Sequence, residues 1–175
     1  ITGCDGGGAG VHNGPAVINA KYQKPVFEMR GGEISENTTT TAGSGGGISN
    51  LDAICTITSG SICRNQAGNG GGVNNARSVF KMQGGEIIGN RANGYSGGGV
   101  NNNNTELATG SFTMSGGVIK ENQAAQYGGG VACYEYTTTT GKGVLTISVK
   151  NAAVIQDNTL TNNKSSNLGL RDNVV

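Results

Sequence analysis

The chain has 175 residues, of which 33 are glycine and 21 asparagine, with no tryptophan and only two prolines. Twelve Lys plus Arg against 11 Asp plus Glu give no basic stripe for nucleic acid, and the absence of a Gly-X-Y period with so little proline excludes collagen. A helical bundle is excluded as well, since each interior glycine costs a helix about 1 kcal/mol relative to alanine, and no run approaches the roughly 20 apolar residues of a membrane span.

Along the chain a glycine triplet followed by a β-branched residue recurs. It reads Gly45-Gly46-Gly47-Ile48, Gly70-Gly71-Gly72-Val73, Gly97-Gly98-Gly99-Val100 and Gly128-Gly129-Gly130-Val131, after a degenerate copy ending at Gly10-Val11. A second block follows each triplet, apolar-x-apolar-x-Gly-Gly-x-Ile-x-x-Asn, at residues 27–37, 80–90 and 112–122. Residues 55–65 keep its frame, and 145–158 are a stretched fifth copy. The extra length of the longer repeats falls mostly between the triplet and the next block, near 14–26, 103–111 and 134–144. Insertions confined to one point of a repeat are loops on one face of an array, so residues 1–175 read as a single domain.

Apolar residues alternate within each block, as in Phe80 and Met82 or Phe112 and Met114, which is the period of strands with one buried face. Short strands between Gly and Asn corners predict a coil that cannot bury its own face and must stack, a solenoid of about five coils with about three strands per turn. The inward rows expected are Val11, Ile48, Val73, Val100, Val131; Phe27, Cys55, Phe80, Phe112, Leu145; Met29, Ile57, Met82, Met114 and Ile147 or Val149; and Ile34, Ile62, Ile87, Ile119, Ile155. Two rows of asparagine accompany them. One is Asn37, Asn65, Asn90, Asn122 and Asn158; the other is Asn13, Asn50, Asn75 and Asn102, with Cys133 in the fifth place. Stacked Asn side chains bond to one another and tolerate left-handed corners, so these rows are expected to be structural ladders.

The Gly-Gly-Gly-Val and Ile-x-x-Asn elements resemble the two short repeats of chlamydial polymorphic outer-membrane proteins. The whole unit, Phe-x-Met-x-Gly-Gly-x-Ile-x-x-Asn-x-Ala, is similar to adhesin-type repeats of bacterial surface proteins. The resemblance runs from about Asp5 to Asn158 and implies an all-β, right-handed, single-stranded parallel β-helix of the pectin-lyase-like type. It also implies an extracellular or cell-surface setting.

Enzymatic β-helices use clustered carboxylates or calcium with a basic residue. The four aspartates, Asp5, Asp52, Asp157 and Asp172, form no Asp-Asp or Asp-x-Asp pair. Stacking brings Glu36 near Arg64, expected to be a surface ion pair, and Glu121 near Asp157. His12 is expected to face solvent. The cysteines show no C-x-x-C pair: Cys55 is expected in the core, Cys133 in an Asn row, and Cys4 and Cys63 outward, free to link separate molecules. Tyr95 and Tyr127 precede triplets and cover their corners. Tyr134 and Tyr136 are the candidate glycan contacts, although covering the loop base is the simpler role. The outward row Glu28, Thr56, Lys81, Thr113, Thr146 is too charged for an ice-binding face. No catalytic residue, metal or cofactor is expected. The reading is a non-catalytic structural or adhesive element that stacks end to end or joins a longer stalk, through self-association or neighbouring repeats, with a host-surface or glycan ligand. The alternative is a carbohydrate-binding or polysaccharide-degrading β-helix.

Overall fold

The computed structural model of the chain describes residues 1–6, 9–18, 21–104, 110–135, 146–150 and 153–171. These residues contain no helix; they form a parallel β-solenoid. The stack makes about 4 turns, slightly fewer than the five repeat copies.

Each turn passes through three sheets. The first holds two-residue strands, among them Gln66–Ala67, Arg91–Ala92, Gln123–Ala124 and Thr159–Leu160. The second holds the strands that follow the triplets, from Val11–Asn13 through Ile48–Leu51, Val73–Ala76, Val100–Asn104 and Val131–Glu135 to Leu168–Arg171. The third carries both halves of the Phe block. They run as one strand in Val26–Ser35 and Ile54–Cys63, and as two in later coils, such as Val79–Met82 and Glu86–Ile88. The bend lies at the Gly-Gly pair, where the pairing of the first two long strands shifts register between Met29 and Glu33. The first long insertion carries an antiparallel hairpin, Ala16–Ile18 with Lys21–Gln23.

Repeat spacing sets the register, and the register builds the core. Val11, Ile48, Val73, Val100 and Val131 stack in one column that continues to Leu168. Ile34, Ile62, Ile87, Ile119 and Ile155 form another. Phe27, Cys55, Phe80 and Phe112 form a third, in which the Phe80 and Phe112 rings stack with centroids 5.2 Å apart. Such ring pairs add about 0.5–1.5 kcal/mol beyond their burial.

The last member of that column is Ile147, not Leu145, which lies outside the described residues; Val149 stands below Met114, and Ser148 rather than Thr146 follows Thr113. Alternation fixes which face a residue occupies but is blind to a slip of two residues, so a stretched copy is easily placed one step off. A further inward row, Ala67, Ala92 and Ala124, is fully enclosed although the apolar pattern does not announce it.

The triplet is explained position by position at Gly70-Gly71-Gly72. Gly70 has φ +60°, a corner that a Cβ disfavours. A Cβ on Gly71 would stand 2.5 Å from the backbone of Arg91 in the next coil. On Gly72 it would stand 2.6 Å from the Gly99 carbonyl oxygen and 3.1 Å from the Asn90 amide. At this corner the neighbouring coils approach backbone to backbone, leaving no room for side chains.

Candidate functional site

The most organised polar feature of the molecule is the corner after each Ile strand. The residue before each ladder asparagine takes a left-handed conformation: Glu36, Arg64, Gly89, Glu121 and Asp157 have φ between 54° and 64°. That turn points the next side chain inward, and Asn37, Asn65, Asn90, Asn122 and Asn158 are all fully enclosed, none above 1% exposure. Each asparagine donates its backbone N–H and its Nδ2 to the Oδ1 of the next. The Nδ2–Oδ1 distances are 2.9 Å for Asn37 to Asn65 and 3.0 Å for each of the next three steps. The second Nδ2 proton of Asn65, Asn90, Asn122 and Asn158 goes to the carbonyl of Ile34, Ile62, Ile87 and Ile119. Three buried donors and an acceptor per coil are thereby satisfied, which dry polar groups require.

The second row behaves alike. Asn13 donates to Asn50 and Asn50 to Asn75, both at 2.7 Å, and Asn75 donates to Asn102 at 2.6 Å. It ends on Cys133, whose Sγ accepts from Asn102 at 3.9 Å. A third, shorter ladder is invisible to period-two reading, because its members fall on nominally outward positions. Ser96 Oγ donates to Asn101 Oδ1 at 3.0 Å, and Asn101 Nδ2 donates to Asn74 Oδ1 at 2.7 Å. Both asparagines are nonetheless buried.

The corner ladder also has a sixth member that the repeat pattern does not reveal. Ile1-Thr2-Gly3-Cys4 is an Ile-x-x-Asn element with cysteine for asparagine: Thr2 bridges to Ser35, Gly3 has φ +70°, and Cys4 N–H donates to Asn37 Oδ1 at 3.0 Å. Only the side-chain donor is missing. Cys4→Asn is therefore expected to add one hydrogen bond and to stabilise the protein by about 0.5–1 kcal/mol, seen as a higher urea midpoint with unchanged slope.

The charged groups pair on the outside. Arg64 Nε donates to Glu36 at 3.2 Å as expected, and Arg64 also reaches Glu33 at 3.4 Å. These pairs are exposed and contribute little. Hydrogen bonding, first from Ser35 and also from Cys63, holds the Glu33 carboxyl below its ordinary value. The better-shielded pair is one that repeat spacing does not single out. Asp52 and Arg77, both in left-handed corners, meet through two contacts, the Nε–Oδ1 one at 2.9 Å. Glu121 and Asp157 hold equivalent exposed corners in adjacent coils, and Glu121 pairs with Lys120 at 3.8 Å. Among the described residues no three His, Cys, Asp or Glu gather in a way that could hold a metal ion.

His12 is exposed, in register with Ser49. The Tyr95 and Tyr127 rings meet edge to face at 5.3 Å. Tyr134 lies on a strand and pairs through its backbone with Asn103 and Arg171. Its side chain, and all of Tyr136, fall outside the described residues.

Cys63 needs correction. It lies in the outward column of Ser35 and Ile88, yet it is only 3% exposed, because the Glu33 carboxylate and its Arg64 partner lie across it. All four thiols are free, and of them only Cys4 is exposed. Burial pushes the Cys55 and Cys133 thiols up to about 12, from 9.0. Their folded-state values lie above the unfolded ones, so the native state holds two protons that the unfolded chain loses. Stability is then fully present below about pH 9 and falls between pH 9 and pH 12, since each tenfold difference in proton affinity between the two states is worth about 1.4 kcal/mol. Urea titrations at pH 8 to 11 are expected to show this fall, with a shallower slope in Cys55→Ala. Alkylation of the native protein at pH 8 is expected to label Cys4 alone.

Comparison with protein-family models, with curated proteins and with solved structures finds no match for this chain. The repeat and its stacking are therefore the ground for a functional reading.

Proposed function

We propose that the protein is a non-catalytic structural or adhesive β-solenoid of the bacterial cell surface or exterior, a rigid element of a stalk, of the pectin-lyase-like, right-handed class whose repeats resemble those of surface adhesins. The observation that carries the reading is how the patterned polar residues are used. Nearly every recurrent asparagine and glycine is committed to tying one coil to the next, through side-chain ladders or close backbone contact. Such a sequence invests its regularity in a stiff rod.

A direct test incubates the purified protein with immobilised glycans and with a panel of soluble polysaccharides, recording retention and release of reducing or unsaturated ends. Retention on a surface glycan, or inert behaviour combined with rigid-rod scattering, is the expected result. Turnover of any polysaccharide would overturn the reading in favour of a degrading enzyme.

A further inference from the structure

The last corner of the solenoid differs from every corner before it. In the internal coils two carbonyls of the short strand face the following coil and accept from it. Asn65 and Ala67 take the N–H groups of Arg91 and Asn93 at 2.9 and 2.8 Å, and Asn122 and Ala124 take those of Thr159 and Thr161 at 2.9 Å each. At the end of the stack the same two carbonyls belong to Asn158 and Leu160. They are satisfied from within the segment, by Ser166 N–H at 2.8 Å and Asn163 N–H at 2.9 Å. Leu160 N–H in turn donates to Lys164, and Thr159 bridges antiparallel to Ser165.

The ladder closes in the same place. Asn158 donates its N–H and Nδ2 to Asn167 Oδ1 at 3.0 and 3.1 Å, close to the distances at which Asn122 donates to Asn158. Asn167 is not in the ladder position of a new coil. Backbone pairing puts it in the third triplet position: Val131 N–H donates to Asn167 just as Val100 N–H donates to Gly130. In each earlier coil that position is glycine, because a Cβ there would collide with the next ladder asparagine, as on Gly99 against Asn122 at 3.0 Å and on Gly130 against Asn158 at 2.7 Å. The Asn167 side chain stands where the next asparagine would be. Ser166 likewise replaces the second glycine, whose Cβ in earlier coils would meet the backbone of the next short strand.

We propose that residues 158–167 form a terminating cap, which fills from within the chain the acceptor and donor sites that a further coil would use and closes this corner to a second copy of the protein stacking in register. The cap makes the two ends of the rod unequal: assembly in register cannot proceed through this end, and this exposed edge of strands is blunted against the sheet extension that open edges invite. It places Asn167 in a positioning role, with Asn158 as the group it holds.

Hydrogen exchange read by NMR on the whole chain tests the cap. In Asn167→Gly the Asn158 amide is expected to exchange at least tenfold faster while Asn65 and Asn90 are unchanged; unaltered exchange at Asn158 would overturn the proposal. A second measurement does not depend on how a variant folds. Wild-type protein, mixed from isotope-labelled and unlabelled stocks at high concentration, is cross-linked through its lysines. No link between Lys164 of one copy and Lys24 of another is expected; such links, with sedimentation showing head-to-tail oligomers, would overturn the cap. That outcome would leave the stalk reading standing, whereas polysaccharide turnover would sink that reading and leave the cap intact.

Discussion

Asn90→Ala is expected to destabilise the protein by about 4 kcal/mol, far more than removal of an ordinary polar side chain. Asn90 donates to Asn122 Oδ1 at 3.0 Å and to the Ile62 carbonyl at 2.9 Å, and it accepts from the Asn65 N–H at 2.9 Å and the Asn65 Nδ2 at 3.0 Å. Alanine strands the Asn65 amide and the Ile62 carbonyl in a site that is 1% exposed at Asn90, and each buried unpaired group costs about 1–3 kcal/mol. Asn93→Ala, three residues along on a half-exposed side chain, is the control and should stay within about 0.5 kcal/mol. Asn90→Asp separates shape from chemistry. It keeps the acceptor but loses the donor and buries a carboxylate. Its loss at pH 7 should match or exceed that of alanine and shrink in acid, where a protonated carboxyl donates again. Urea unfolding at pH 4 and pH 7 measures all three. An aspartate variant as stable as wild type at pH 7 would contradict the ladder.

Gly99→Ala carries the second large effect, about 3 kcal/mol or more, from one added methyl group. Its Cβ would stand 2.6 Å from the Gly130 carbonyl oxygen and 3.0 Å from both Ile119 Cγ2 and Asn122 Nδ2. The carbonyl cannot retreat without lengthening the bond it accepts from Val100 N–H at 2.8 Å. Overpacking by a methylene typically costs about 1–3 kcal/mol, and an obstacle made of backbone puts this site at the top of that range. Gly89→Ala is the informative comparison. Gly89, unlike Gly99, has a positive φ, +64°, but a Cβ there finds only Arg64 Cγ at 3.9 Å. Its cost should be about 1 kcal/mol, that of the left-handed backbone alone. A loss at Gly99 no larger than that at Gly89, measured by thermal or urea unfolding, would show that the closeness of the coils does not select glycine at this position.

The fold was legible because repetition says the same thing several times. Val73, Val100 and Val131 fall in line from spacing alone, and the asparagine ladders follow from the same spacing. Legibility failed where repetition breaks. Ile147 and Leu145 share a parity, so the stretched copy could be placed two residues off. Cys63 obeys alternation by lying in an outward column, yet it is buried by long neighbours, Glu33 and Arg64, that alternation does not weigh. Asn74 and Asn101 escaped for the same reason, with Ser96 bonded to Asn101 across a corner. The cap was hidden because Ser165-Ser166-Asn167 looks like a lost triplet. Only the backbone pairing of Asn167 with Val131 shows that it stands in a glycine's place and does a ladder asparagine's work. The candidate glycan contacts Tyr134 and Tyr136 sit in the least repetitive stretch, where spacing offers no guide.

Coils joined by enclosed side-chain ladders, with the molecule's regularity serving that joining, are the core of the structure. Hydrogen exchange at the backbone amides of Asn65, Asn90 and Asn122 tests this most directly, because each of these N–H groups is bonded to a side chain of the next coil and not to a strand partner. The expected result is exchange as slow as that of Val73 and Val100 in the neighbouring sheet, released only by global unfolding. Exchange at the rate of exposed loop amides, with Val73 and Val100 still protected, would contradict it.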